Sequence, residues 1–315
     1  MSSESSQMDL GGLSLTIVDG GSFRLDGAAL YGIYPRVFWE KLNHPDEDNR
    51  VLLGLAPVVV NTAEGVVLID PGIGHNWNTH NLDRYDITGV RPLDELLKDA
   101  DVSPADVIAV IATHLHFDHI AGAVTARTGS QDDQGMLSDL SSAGSENLVP
   151  ALPEARLYLQ KAELEASRQP DLRTATYTAS LAAHAYERED RLLLLDGDSE
   201  PFPGIRIEHT GGHTAGHQAV WLEGSEASVL ITGDLIPTTS HVRSEVVEGV
   251  DFEPAATARV KAALLARAAA TGTYLTFYHA PRVRWGRIRT GPSGGYQLDE
   301  THTVRSGTPS RATEA

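Results

Sequence analysis

The chain has 315 residues, of which 41% are hydrophobic and 22% charged, with a net charge of −18 and no cysteine. This composition is typical of a globular protein with a sizeable core. The missing cysteine excludes a disulfide framework, a thiolate nucleophile, an iron–sulfur cluster and thiolate-bound zinc, so any metal site must use nitrogen and oxygen donors. The acidic charge argues against nucleic acid as a partner, because phosphate binders carry basic surfaces.

The two chain ends and one internal segment lack a regular pattern. Residues 1–12 and 301–315 are rich in small polar residues, and we predict that both are disordered. Residues 1–12 also lack the features of a signal peptide, and no apolar run reaches the roughly 18 residues of a membrane span, so we expect a cytoplasmic protein that does not engage a membrane. Residues 128–147 predict a flexible loop or a lid.

Residues 13–300 read as one domain. Short apolar runs predict strands, and amphipathic or alanine-rich stretches predict helices, in an order that favours a layered α/β fold over strict βαβ alternation. The predicted strands are 13–18, 57–61, 66–69, 107–111, 156–159, 191–195, 205–209, 218–222, 229–231 and 274–278, and the predicted helices are 92–100, 161–167, 176–189 and 254–270.

Residues 28–53 form an aromatic-rich extension ahead of most of the core strands. Such a cluster packs internally, lines a substrate pocket or forms the seam of a homodimer. We take its four large aromatics as candidate substrate-binding residues: Tyr31, Tyr34, Phe38 and Trp39.

The sequence HLHFDH follows the predicted strand 107–111 directly. In an extended segment residues two apart point the same way, so His114 and His116 can bind one cation. Asp118 and His119 then project toward a second cation. Three histidines and one aspartate in six residues at a strand end predict a metal site.

Three further strand ends offer similar donors. The sequence GGHTAGH contains His213 and His217 and follows a strand that ends at His209, TGD ends in Asp234, and YHAP contains His279. Each of these is a weak signal alone. Together with HLHFDH they predict a binuclear site in which a carboxylate bridges two metals.

These four motifs, in this order over roughly residues 13–290, resemble the metal-binding motifs of the metallo-β-lactamase fold superfamily. The resemblance implies a four-layer αβ/βα sandwich with a dinuclear site at one edge. It further implies that Asp234 bridges, that Asp70 supports the metal-binding loop from behind, and that His209 and His217 support or pack rather than ligate. The implied ligands are His114, His116 and His213 for the first metal and Asp118, His119 and His279 for the second.

Two zinc ions per chain, held in this way, lower the pKa of a shared water toward neutrality. The resulting bridging hydroxide would attack the carbonyl of a lactone or ester. Asp118 is the candidate catalytic residue, because it can orient that hydroxide or pass a proton to the leaving group. Zinc follows from the resemblance, since nitrogen and oxygen donors also bind other divalent metals.

Within the superfamily, the resemblance is to N-acyl homoserine lactonases and methyl-parathion-hydrolase-like enzymes that act on small molecules. One departure is Pro237, which stands where the lactonases carry a tyrosine. The alternatives are a phosphotriester hydrolase, a β-lactamase, or a metal-binding protein without catalysis. The missing cysteine and the bridging Asp234 disfavour β-lactamase, and the complete ligand set disfavours a non-catalytic protein.

Overall fold

The computed structural model describes residues 6–75, 77, 79–126, 147–292 and 294–303. Residues 128–146 of the predicted loop and 304–315 of the predicted tail lie outside the described residues. Two seven-stranded sheets dominate the described part of the chain. The first sheet has the spatial order β1 (Ser6–Asp9), β2 (Ser14–Ile17), β5 (Val58–Asn61), β6 (Val66–Ile69), β7 (Val107–Ile111), β10 (Arg156–Gln160) and β11 (Leu192–Leu195).

In the second sheet, each strand lies beside the next strand in the chain. Its strands are β12 (Ser199–Phe202), β13 (Ile205–His209), β14 (Gln218–Glu223), β15 (Ser228–Ile231), β16 (Tyr274–Thr276), β17 (Val283–Thr290) and β18 (Tyr296–Thr303). Two small antiparallel pairs accompany the large sheets: β3 (Ser22–Asp26) with β4 (Arg50–Gly54), and β8 (Val124–Ala126) with β9 (Leu148–Pro150).

The helices are short except for the last. They are α1 (Gly27–Tyr31), α2 (Arg36–Trp39), α3 (Thr79–Tyr85), α4 (Leu93–Leu97), α5 (Phe117–Ile120), α6 (Lys161–Arg168), α7 (Ser180–Arg188) and α8 (Pro254–Thr271). The helices α6 and α7 pack on β10, and α8 packs on β17.

The side chains of β14 show how the layers form. Successive residues of a strand point to opposite faces. Val220 and Leu222 join the large apolar core that also contains strands of the first sheet, whereas Trp221 packs with Leu264 and Leu265 of α8 in a second cluster. Each sheet is thus a layer in an α/β sandwich, which confirms the predicted fold class.

The structure corrects the predicted boundaries at three places. Residues 6–12, expected to be disordered, contain β1, which pairs with β2, and the adjoining Leu10 is fully buried in the core. Residues 301–303, expected in the tail, complete β18. The helix expected over 176–189 begins only at Ser180, because the backbone before it bonds to the segment 115–117 instead.

Candidate active site

The predicted donors meet at one end of the sandwich because four strands end there. In the first sheet β6 and β7 are parallel neighbours, so Asp70 follows one strand end and the HLHFDH segment the next. In the second sheet β15 and β16 are parallel, which brings Asp234 and His279 to the same edge. The turn between β13 and β14 adds His213. All the sequence-predicted ligands therefore converge.

Their donor atoms form two groups, each within 4.8 Å, that share one carboxylate. Oδ2 of Asp234 lies 3.7 Å from Nε2 of His114 and 3.5 Å from Nε2 of His213. Oδ1 of Asp234 lies 3.2 Å from Nε2 of both His119 and His279. One carboxylate thus faces two sets of nitrogens, which is the geometry of a bridging ligand. The first group is His114, His116, His213 and Asp234, and the second group is Asp118, His119, Asp234 and His279.

A buried carboxylate holds the two histidine-bearing loops together. Glu163 of α6 accepts a hydrogen bond from the backbone N–H of Leu115 at 2.9 Å. It also accepts from the hydroxyl of Thr214 at 2.7 Å and from the N–H of Gly216 at 2.9 Å. A Cβ at Gly216 would lie 2.2 Å from the backbone nitrogen of Glu163, so only glycine permits this approach.

Asp70 orients a histidine in each group. Its carboxylate accepts from the N–H and hydroxyl of Thr113, at 2.7 and 2.8 Å, and lies 2.9 Å from Nδ1 of His119. The Thr113 hydroxyl, having donated to Asp70, accepts from Nδ1 of His114 at 3.0 Å. Asp70 lies in the left-handed region with φ of 49°, a conformation retained here beside the candidate site.

The remaining histidines are oriented in the same way. Nδ1 of His213 lies 2.8 Å from Asp251 and 3.3 Å from Glu248, and Nδ1 of His279 donates to the carbonyl of Gly54 at 2.9 Å. Ligating histidines in metalloproteins typically donate their second ring N–H to a carboxylate or carbonyl in this manner.

The residues present fit metal ions. With Nδ1 of His114, His119, His213 and His279 each facing an acceptor, the opposite ring nitrogen is left for a cation. Nε2 of His114 is buried without a hydrogen-bond partner among the described residues. Nε2 of His119 and His279 lie only 3.2 Å apart, a separation that a shared cation explains.

The two groups differ in electrostatics. Burial, reinforced by neighbouring imidazoles, lowers the pKa of His116 to about 3 and that of His114 well below its usual range. Burial acts on His119 and His279 too, but the carboxylates of Asp234 and Asp118 outweigh it and raise both pKa values to about 10. Burial is also outweighed at His213, whose pKa is raised by Asp251 and Asp234, so the first group is mixed, whereas both imidazoles of the second group favour positive charge.

A cavity opens over the ligands and has an apolar wall. The candidate catalytic residue Asp118 lies at its floor, 3.2 Å from Nε2 of His279, and Tyr278 donates to the Asp118 carbonyl at 2.8 Å. Burial raises the pKa of Tyr177, which also lines the cavity. The other described lining residues are Leu25, Ala29, Leu30, Leu53, His116, Phe117, Asp234, Glu248, Val250 and His279.

The structure places the four predicted substrate-binding aromatics elsewhere. Tyr31 and Trp39 are buried and stack on each other with ring centroids 4.9 Å apart. Phe38 is 54% exposed, and Tyr34 packs beside it at 6.0 Å. None of the four is among the described lining residues. Tyr31 of α1 and Trp39 of α2 point into the core, and Phe38 of α2 faces solvent.

Other polar groups at the site have no local sequence signal. Glu163 lies in α6, and Glu248 and Asp251 lie in the segment before α8, so none of them adjoins a ligand motif in the sequence. His217 is buried with its Nδ1 2.7 Å from the Thr210 hydroxyl, and it lies outside both donor groups, as does the exposed His209.

The comparisons with known proteins agree with this site. The family model described as the metallo-beta-lactamase superfamily matches residues 55–279, the span that carries all the donors. The protein is therefore a metal-dependent hydrolase. It belongs to the metallo-beta-lactamase superfamily.

The chain is also similar to individual proteins and solved structures. An N-acyl homoserine lactonase of Bacillus cereus is 25% identical over 208 residues, which cover 62% of this chain and 69% of the lactonase. A probable metal-dependent hydrolase from Staphylococcus aureus superposes with a TM-score of 0.81 at 24% identity, covering 96% of this chain and 100% of that one. AidC, a dizinc quorum-quenching lactonase, superposes with a TM-score of 0.70 at 16% identity, covering 95% of this chain and 97% of that one.

The described part of the chain contains no helix that is both long and apolar enough to cross a membrane.

Proposed function

We propose that the protein hydrolyses a lactone or ester bond of a small molecule with two zinc ions. The carrying observation is Asp234, whose two carboxylate oxygens face two separate groups of imidazole nitrogens. The similarity to an N-acyl homoserine lactonase supports this substrate class. The apolar cavity wall, with Leu25, Leu30 and Val250, suits an acyl chain.

In this mechanism each residue has a defined task. Bound divalent cations would supply a water with a pKa near neutrality and a Lewis acid for the carbonyl oxygen. Asp118 accepts the proton of the attacking water and returns it to the leaving oxygen. The hydrogen bond from Tyr278 to the Asp118 backbone fixes the position of that carboxylate. The apolar wall limits the access of further water to the reacting bond.

A hydrolysis screen tests the proposal. Zinc-loaded protein is assayed on lactones of varied acyl length, aryl esters, phosphotriesters and β-lactams, with and without a chelator. We expect the highest kcat/KM on a lactone or ester and loss of that activity with the chelator. A highest rate on phosphotriesters or β-lactams would assign a different branch of the superfamily, and no hydrolysis of any class would refute the proposal.

We further propose that the chain forms a homodimer through residues 33–42. Four large apolar side chains are exposed in this short segment, and Ile33 is 98% exposed. Clustered exposed apolar residues mark interaction surfaces. Light scattering should report twice the chain mass for the wild type and a monomer for Ile33→Asp with Phe38→Asp. The matched control is Leu172→Asp, since Leu172 is 97% exposed outside the segment. A monomeric wild type would refute the dimer.

A further inference from the structure

The cavity contains one phenol for which the mechanism above has no task. Tyr177 lines the cavity together with His116 and Asp118. Its ring lies 6.1 Å from the ring of His116 and stacks on Phe117 at 6.2 Å. Its hydroxyl makes no hydrogen bond to the residues that the structure describes, although the ring is only partly exposed.

The backbone holds Tyr177 in a fixed place beside the ligands. The N–H of Phe117 donates to the carbonyl of Tyr177 at 2.8 Å, and the N–H of Ala179 donates to the carbonyl of Leu115 at 2.7 Å. His116 and Thr178 form an antiparallel bridge between these two bonds. The segment 177–179 is thus paired with the metal-binding loop itself, and the phenol moves with the ligands.

The other polar groups considered in this region are occupied or lie away from the cavity. Tyr278 donates to the carbonyl of Asp118. Tyr31 is fully buried in the core, where it accepts from Asn43 at 2.6 Å, and it does not line the cavity. Glu248 reaches the cavity but lies 3.3 Å from Nδ1 of His213. Residue 237, which follows the bridging aspartate, is a proline without a side-chain donor. Among the described lining residues, Tyr177 is therefore the one that carries a neutral hydroxyl.

We propose that the Tyr177 hydroxyl donates a hydrogen bond to the substrate oxygen that gains negative charge during hydrolysis. The inference rests on the proposed function, because that function supplies an ester or lactone carbonyl. A donor already in position costs no reorganisation when the charge develops, so its effect falls on the transition state. Tyr177 would accordingly act as a catalytic residue that contacts substrate, without changing which bond breaks.

The test compares Tyr177→Phe with the wild type, both loaded with zinc to the same measured content. Phenylalanine retains the ring stacked on Phe117 and removes only the hydroxyl. On the best ester or lactone substrate we expect kcat to fall about 10- to 100-fold with KM nearly unchanged. The matched control is Tyr85→Phe, since Tyr85 also packs on Phe117, at 5.6 Å, but is not a lining residue. The control should keep wild-type kinetics.

A binding measurement separates this inference from the proposed function. Calorimetric titration with N-hexanoyl homoserine, a ring-opened lactone product, should give severalfold weaker binding to Tyr177→Phe than to the wild type. If the wild type turns over no lactone or ester yet this difference in binding remains, the proposed function fails and the Tyr177 contact stands. Equal kcat and equal affinity for the two proteins would overturn the contact. A wild type that neither turns over nor binds the probe would overturn both.

Discussion

The two halves of the ligand cluster have similar donors and different charge. The first group, around His114, His116 and His213, contributes one carboxylate, the shared Asp234. The second group adds Asp118, and its carboxylates raise the pKa of His119 and His279 to about 10, while His116 falls to about 3. Both imidazoles of the second half thus favour positive charge, whereas in the first half only His213, beside Asp251, has a raised pKa. We expect the two metal sites to differ in affinity accordingly.

Removing the shared carboxylate should weaken metal binding in both groups. In Asp234→Ala both groups lose an oxygen donor, and the imidazoles lose the anion that separates them. Since changes at supporting residues alone cost about 10- to 100-fold in metal affinity, we expect a larger loss for both zinc ions and for hydrolysis. Zinc content by elemental analysis and kcat/KM check this. The control is Asp48→Ala, whose side chain is 78% exposed. Full zinc content in Asp234→Ala would contradict the bridge.

Two supporting aspartates should act unequally on the two halves. Asp70 contacts His119 directly and His114 through Thr113, whereas His213 is the one candidate ligand that Asp251 contacts. Asp70→Asn should therefore weaken both zinc-binding steps, by about 10- to 100-fold for the site of His119, and Asp251→Asn should weaken one. Competition with a chromophoric chelator resolves the two steps. If both variants weakened both zinc-binding steps equally, the predicted difference between Asp70 and Asp251 would be wrong.

The pH dependence of the metal-free protein should report on the second half. A histidine whose pKa rises from 6.5 to about 10 on folding adds stability that is complete below pH 6.5 and lost as the pH rises through 10. The melting temperature with chelator should thus fall by roughly 5 °C or more between pH 7 and 10.

The zinc-loaded protein provides the reference for that titration. Lys261, whose pKa is lowered to about 8 by burial, acts in the opposite direction but is present in both forms. The difference between the two forms therefore reports on the candidate ligands whose pKa is raised, which are His119, His279 and His213. A melting temperature that changes in parallel with and without zinc would show that these histidines do not hold protons in the metal-free protein.

The sequence predicts the convergence of the candidate ligands, because each lies in a short motif after an apolar strand. The supporting role of Asp70 follows from the family resemblance, and Asp70 too lies directly after an apolar strand. Glu163 has no such signal, because it acts on Leu115 from 48 residues away and appears locally as one acid on an amphipathic helix. Tyr177 is hidden because only the pairing of its backbone with Phe117 brings it to the cavity.

The aromatic segment shows the opposite limit. Hydrophobicity predicts that Tyr31 and Trp39 are buried against other residues. It does not predict whether α1 and α2 point them into a pocket or into the core, and the structure buries both in the core. The strand β17 (Val283–Thr290) was equally hidden, because arginines at 284, 287 and 289 interrupt its apolar residues. Partners across a sheet, rather than local pattern, define such a strand.

The central claim is that hydrolysis needs both halves of the cluster, joined by Asp234. Metal-free protein is titrated with zinc while lactone hydrolysis and bound zinc are measured in the same samples. We predict that two zinc ions bind per chain and that activity appears mainly with the second equivalent, because the two groups act on opposite sides of one reacting bond. Full activity at one equivalent, or activity that persists without bound metal, would contradict the claim.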